Sequence, residues 1–176
     1  ANTGWVAKGA WTVSIPPSQP ADDTVSPNAD SGGVQSFTFV FSDSQNASNI
    51  TGMATLFASS LSFTNACYLL VDRNAGTVAL LWDNGLGSDS RLINATAGLQ
   101  NSQCLVGASS IAVSGFSQIL SFNITFKGGF GGLKNIYMFG ASGAVNTGWV
   151  QRGTFSITSG GLPAANVQDF TARQDH

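Results

Sequence analysis

Glutamate is missing altogether, and charge of either sign is scarce: 9 Asp, 7 Lys and Arg together and 1 His in 176 residues. At 9% charged residues the chain falls far below the ~25% of an ordinary soluble domain. Solvated helices draw on Glu, Lys, Leu and Ala, so a helical fold lacks its usual material. The His is His176, the last residue, which excludes Ser-His-Asp and Cys-His catalysis in their usual forms. A glycosidase would need two Asp. Asp72 and Asp83 sit near strand ends, where turn capping is the simpler role. No dinucleotide fingerprint or P-loop occurs. Gly128-Gly129-Phe130-Gly131-Gly132 lacks the following Lys-Ser/Thr and helix, so it reads as a hairpin turn. No catalytic residue and no cofactor are assigned, and the chain is read as non-enzymatic.

Basic clusters are absent too. The formal net charge is −2 and the cations are scattered, which excludes a surface that tracks phosphates and hence nucleic acid. The longest apolar runs reach about half a membrane span. No leader pattern opens the sequence, so a secreted protein would have lost it. Cysteine is limited to Cys67 and Cys104. They are either two buried thiols or a disulfide, and the disulfide would place the chain in an oxidising compartment, secreted or at the cell surface. Their isolation from His, Glu and further Cys argues against zinc and for the disulfide.

What is abundant is Ser, Thr, Asn, Gly, Val and Phe, the material of pleated, half-buried surfaces joined by turns. Alternation marks the strands. Phe37, Phe39 and Phe41 share one face of 35–41; Leu120, Phe122, Ile124 and Phe126 share one face of 119–126. Further strands are expected at 52–58, 67–71, 77–82, 135–139 and 148–157. Run 77–82 is nearly all apolar, as for a strand covered on both faces. Such short strands predict an all-β, immunoglobulin-like, two-sheet antiparallel sandwich, with a closed barrel as the other solution.

Asn46, Asn49, Asn94 and Asn123 each open an Asn-x-Ser/Thr triplet and are candidate glycosylation sites if they face solvent. On alternation Asn123 meets that condition. The loops 83–89 and Asp43 with Asn46 and Asn49 offer hard oxygens, but neither matches an EF-hand, and no metal is assigned. Tyr68, Trp82, Tyr137 and Trp149 are the aromatics that could stack on a sugar. Core packing is favoured for Trp82 and exposure for Tyr137.

The chain also matches itself. Residues 2–14 read NTGWVAKGAWTVS and residues 146–158 read NTGWVQRGTFSIT, aligned without a gap. Asn, Thr, Gly, Trp, Val and the second Gly are identical. Lys8/Arg152, Trp11/Phe155, Thr12/Ser156, Val13/Ile157 and Ser14/Thr158 are alike in chemistry. Only this terminal strand recurs. On alternation Trp5, Ala7, Gly9, Trp11, Val13 and Ile15 share a face, as do Trp149, Gln151, Gly153, Phe155 and Ile157. An unpaired first copy would leave two Trp on an open edge, an aggregation hazard. The plan is therefore an N-terminal strand 1–15 paired with a neighbouring unit and a Pro-rich linker 16–22. The sandwich 23–158 follows, with strand 148–157 at its edge. Segment 159–176 reads as a linker or the start of a next unit. The assembly residues are Trp5, Trp11, Val13, Ile15, Trp149 and Phe155.

The run DTVSPNADSGGVQSFTFVFSD, then NACYLLVDR, NSQC, ITFKGGFGGLKNIYMFG and NTGW-x-x-G-x-F, resembles immunoglobulin-like repeats of large secreted or surface proteins of bacteria. The likeness covers roughly 22–158 and the first strand. It implies an extracellular array, with Cys67 and Cys104 as the paired cysteines and Trp149 as the last-strand aromatic, and it supplies no activity. Two functions follow as expectations. One is a tandem-repeat unit or subunit of a surface stalk or filament, such as serves cell adhesion, joined by strand addition to copies of itself or adjacent similar domains. The other is a carbohydrate-binding module.

Overall fold

The computed structural model describes residues 1–158; segment 159–176 lies outside the described residues. The chain runs β1 (Pro20–Ser26), β2 (Ala29–Gly32), β3 (Val34–Asp43), β4 (Gly52–Ala58), β5 (Cys67–Asp72), β6 (Thr77–Leu81), β7 (Ser88–Leu92), β8 (Leu99–Gln100), β9 (Cys104–Ser114), β10 (Ser117–Phe126), β11 (Gly132–Ser142), β12 (Val145–Asn146) and β13 (Val150–Ile157), with 3-10 turns at Ala47–Asn49 and Gly128–Phe130. The smaller sheet has the order β1-β3-β10-β9-β8 and the larger β2-β13-β11-β4-β5-β6-β7, with β12 paired to β11. This is an all-β sandwich. The pairs are antiparallel except β2–β13, which is parallel, Ala29 opposite Thr154 through Gly32 opposite Ile157.

The alternation of β3 and β10 does what it predicts. Phe37, Phe39, Phe41, Leu120, Phe122 and Ile124 are buried, and across the gap Met53, Phe57, Leu69, Val71, Val78, Leu80, Ile136, Met138 and Phe155 meet them. Phe37 touches both Phe57 and Phe155, with ring centres 4.8 and 5.1 Å away. Such tilted aromatic pairs add ~0.5–1.5 kcal/mol each beyond the area they bury. Cys67 of β5 and Cys104 of β9 form a disulfide that staples one sheet to the other inside this core.

Several expectations need correction. Strand β1 begins at Pro20, so Pro20–Asp22 belongs to the sandwich and not to the linker. The outer edge of a sheet tolerates a proline at a strand's start. The glycine-rich segment Gly128–Gly132 is no hairpin: it carries the chain from β10 in one sheet to β11 in the other, and Phe130 plugs the core. Strand β6 is covered on one face only, since Val78 and Leu80 are buried while Ala79 and Leu81 are half-buried. Trp82 is 47% exposed and not a core residue. Strand β13 is not at the edge of its sheet, because β2 pairs with Thr154–Ile157 beyond it.

The chain enters and leaves at opposite ends. Pro20 pairs with Asp43, whose carboxylate accepts from Ser142 Oγ at 2.8 Å, at the far end of β11. Ile157 pairs with Gly132, the first residue of that same 11-residue strand. At ~3.3 Å per residue the two ends are roughly 35 Å apart.

Candidate functional site: the duplicated terminal strand

Residues 1–15 form no strand with any described residue and are exposed throughout. Trp5, Trp11, Val13 and Ile15 are all among the exposed large side chains, Trp5 fully so. The segment behind them is anchored. Gln45 Nε2 donates to Pro16 O, Ser18 Oγ donates to Asp43 Oδ2, and Gln19 exchanges bonds with Ser44 at 3.0 Å. The linker is thus fixed to the sandwich at the incoming end, and residues 1–15 before it are exposed.

The second copy shows what this sequence does when docked. Asn146-Thr147-Gly148 makes a tight turn: Gly148 N donates to Asn146 Oδ1 at 3.0 Å, and Thr147 Oγ1 donates to Gly148 O at 2.7 Å. Gly148 has φ +69, a left-handed conformation natural to glycine. Thr147 is pinned to β11 through Gly140, whose N–H donates to Thr147 Oγ1 and whose C=O accepts from Thr147 N, both at 2.9 Å.

From there the strand changes face. Gly153 lies opposite Ile136, but Gln151 lies opposite Tyr137, which leaves Arg152 as a bulge. A bulge reverses the parity of what precedes it. Phe155 and Ile157 therefore enter the core, whereas Trp149 lies on the outer surface of the larger sheet, 5.3–5.6 Å from the rings of Phe63, Tyr68 and Phe139. The expected common face for Trp149 and Phe155 does not exist. Sequence alternation could not show this, because a bulge residue carries no mark of its own. The aromatics cover Leu56, Ala58 and Ala66, a small second core outside the sheet. This is why every residue from Met53 to Ala58 is buried.

Two carboxylates beside the strand have contrasting surroundings. Asp43 Oδ1 accepts from the N–H groups of Gln45 and Asn46 at 2.9 and 3.1 Å and from Asn49 Nδ2 at 3.1 Å; Oδ2 accepts from Ser142 and Ser18. Burial works to raise its pKa, but the Ser18 hydroxyl, the two N–H groups and Ser142 outweigh burial and hold it well below the usual range. A carboxylate so filled with donors has no lone pair left for a cation. Asp22 is equally buried, yet among the described residues neither oxygen has a hydrogen bond. The Thr147 hydroxyl beside it spends its proton on Gly148 O. Burial pushes the Asp22 pKa up to about 6 despite Thr147 and Arg152.

The remaining candidates are scattered. Asp72 caps its turn through Ala75 N at 3.0 Å. Asp83 ties two loops together instead, accepting from Ser102 N at 3.0 Å and from the Ser102 hydroxyl. Asn94 and Asn46 are exposed. Asn49 is engaged with Ser18 and Asp43, and Asn123 Nδ2 donates to Ser36 Oγ at 3.1 Å. Tyr137 is half-buried and its hydroxyl accepts from Asn135 at 3.1 Å. Trp82 borders a shallow groove of about 250 Å³ with Asp83, Gln100, Asn101, Ser102 and Lys127. Compared with known proteins, the chain matches no family model and no curated relative.

Proposed function

We propose that this chain is a non-catalytic structural module of an extracellular or surface assembly, linked to adjoining units of its own kind through terminal strands. One observation carries the reading. The same strand sequence occurs twice, docked in its second copy and exposed, with both Trp in solvent, in its first. A row of unpaired backbone groups beside exposed aromatics calls for a sheet to complete. The likeness to immunoglobulin-like repeats, the disulfide and the near-absence of charge agree with an array outside the cell. Head-to-tail contacts that do not close generate a stalk or filament. In sedimentation, the full chain with Trp11→Phe, to match Phe155 of the second copy, should form a complex with residues 16–145 of a second chain, whose last-strand place is empty. A chain starting at Pro16 should form none and keep an unchanged unfolding midpoint. Equal sedimentation of the two mixtures, or unfolding of the shorter chain, would sink the proposal.

A second reading, sugar binding, draws on Trp82. Its ring is half-exposed at the groove, although Gly87 packs against it so closely that a Cβ there would meet the ring at 2.4 Å. The Asn101 side chain is consumed by Ala66 O, Leu81 O and the N–H groups of Gln103 and Cys104, so stacking would have to supply the contact. Oligosaccharide titrations that move the tryptophan fluorescence of the chain but not of Trp82→Ala would support it; no change in either would end it.

A further inference from the structure

The exposed first copy already has the local shape of the docked second. Gly4 has φ +65 against +69 for Gly148. Gly4 N donates to Asn2 Oδ1 at 3.2 Å and Thr3 Oγ1 to Gly4 O at 3.4 Å, the same two bonds that build the turn at Asn146–Gly148. The turn forms from its own side chains, without the β11 contacts that hold Thr147.

A glycine in the strand points the same way. A Cβ on Gly153 would lie 2.7 Å from Asn28 O and 3.0 Å from Asn28 Cα, because the chain entering β2 crosses directly over it. Its counterpart Gly9 has no atom of another described residue within 4 Å. Nothing among the described residues requires a glycine at position 9, but a second strand passing over it would. The bulge residue recurs as well: Lys8 corresponds to Arg152, long and cationic in both copies.

We infer that residues 2–14 occupy, in an adjoining sandwich of this fold whose last-strand position is otherwise empty, the place that residues 146–158 occupy in their own. Trp5 then lies on that unit's outer aromatic cluster, Lys8 forms the bulge, and Gly9 passes beneath its β2. Trp11 and Val13 enter its core. The two Trp part to opposite faces of the sheet, where simple alternation would set them on one. This inference rests on the strand-linkage reading and adds the register and the faces. It also specifies the partner's pocket. Phe155 is packed between Phe37 and Phe126, with ring centres 5.1 and 5.7 Å away, so the unit that takes Trp11 must be roomier there than this one.

The test is a two-unit chain in which residues 16–145 are placed directly before residues 2–158, with Trp11→Phe in the first copy to fit the Phe155 pocket. The first copy is then the only last strand open to the leading unit. Hydrogen exchange should show residues 2–14 protected about 100-fold or more over the same residues in the single chain, as expected of a core strand. Gly9→Ala should abolish most of that protection in the two-unit chain and leave the single chain's unfolding unchanged. Restoring Trp11 should lower the leading unit's midpoint, through overpacking. A leading unit that never folds would overturn the strand-linkage reading itself. Protection of residues 2–14 that Gly9→Ala leaves intact would overturn the register proposed here and spare that reading.

Discussion

The guanidinium of Arg91, at the edge of the larger sheet, donates from Nη2 to Gly107 O in the smaller sheet at 2.6 Å. Nη2 also reaches Ser109 Oγ at 3.1 Å, and Nη1 reaches the carbonyls of Ile93 and Ala95 at 3.1 and 2.8 Å. One side chain thus closes the open side of the sandwich by satisfying carbonyls from β9 and from the turn after β7.

Arg91→Met should therefore cost about 2–4 kcal/mol, because it strands several partly buried carbonyls at once. Arg91→Lys should recover only part of the loss, since a single ammonium cannot span the fork. Urea unfolding of the three proteins checks this. A loss below about 0.5 kcal/mol, as at an ordinary surface position, would refute it.

Removing the disulfide should be felt more. Cys67 and Cys104 close a loop with a sequence separation of 37, for which chain entropy gives about 4 kcal/mol at 25 °C. The double substitution to Ala, compared in guanidinium with the oxidised chain, should show a loss of that order. Free thiols in the oxidised chain, detected by alkylation, would contradict the bridge.

The two buried carboxylates should give stability opposite pH slopes. Asp22 is raised from 3.8 to about 6 on folding, so the folded chain binds its proton more tightly. Its contribution is present at low pH and is lost as pH rises from about 4 to about 6. Asp43 is lowered, so its contribution is present above the ordinary Asp value of about 4 and is lost as pH falls below it. Stability should peak near pH 4. Asp22→Asn should flatten the fall above the peak, and Asp43→Asn the fall below it. Urea midpoints measured against pH for all three proteins decide the matter, and identical profiles would contradict both assignments.

Among the Asn-x-Ser/Thr sites, Asn94 should be modified first when the chain is secreted by a host that glycosylates them. It is exposed in the turn after β7, as Asn46 is in its own turn, but Asn46 Oδ1 is tied to Ser48 N and Oγ, both at 2.9 Å. Asn49 should remain bare, its amide nitrogen being held by Ser18 and Asp43. Peptide mass spectrometry reads both sites, and a glycan on Asn49 would show that its contacts open.

The sandwich was legible wherever large apolar residues alternate with small polar ones, and β4 was found with its bounds unchanged. Strands β9 and β7 were not visible, because Gly107-Ala108-Ser109-Ser110 and Ser88-Asp89-Ser90 give no contrast between faces. Strands β1 and β2 were hidden because Pro20–Asp22 read as linker and Pro27 and three Asp leave no alternation of apolar and polar residues. The duplicated strand was plain as a repeat. Its change of face was not, since that depends on one extra residue relative to β11. Gly9 and Gly153 were the one signal: the same glycine inside both copies of the strand, where it offers no side chain to pack.

The parallel pairing of β2 with β13 has a mechanical consequence. Tension on the chain reaches β2 through its N-terminal end and β13 through its C-terminal end. Two parallel neighbours pulled that way slide along their common axis, so their hydrogen bonds, among them Thr154 N to Asn28 O at 2.9 Å, are loaded together and not one by one. The load is shared with β1, which precedes β2 and pairs with β3 over Pro20–Ser26, and this short contact is the part nearest the C-terminal end. Once it slips, the disulfide still keeps the segment between Cys67 and Cys104 from extending, withholding about 130 Å of the contour that 37 residues would otherwise release.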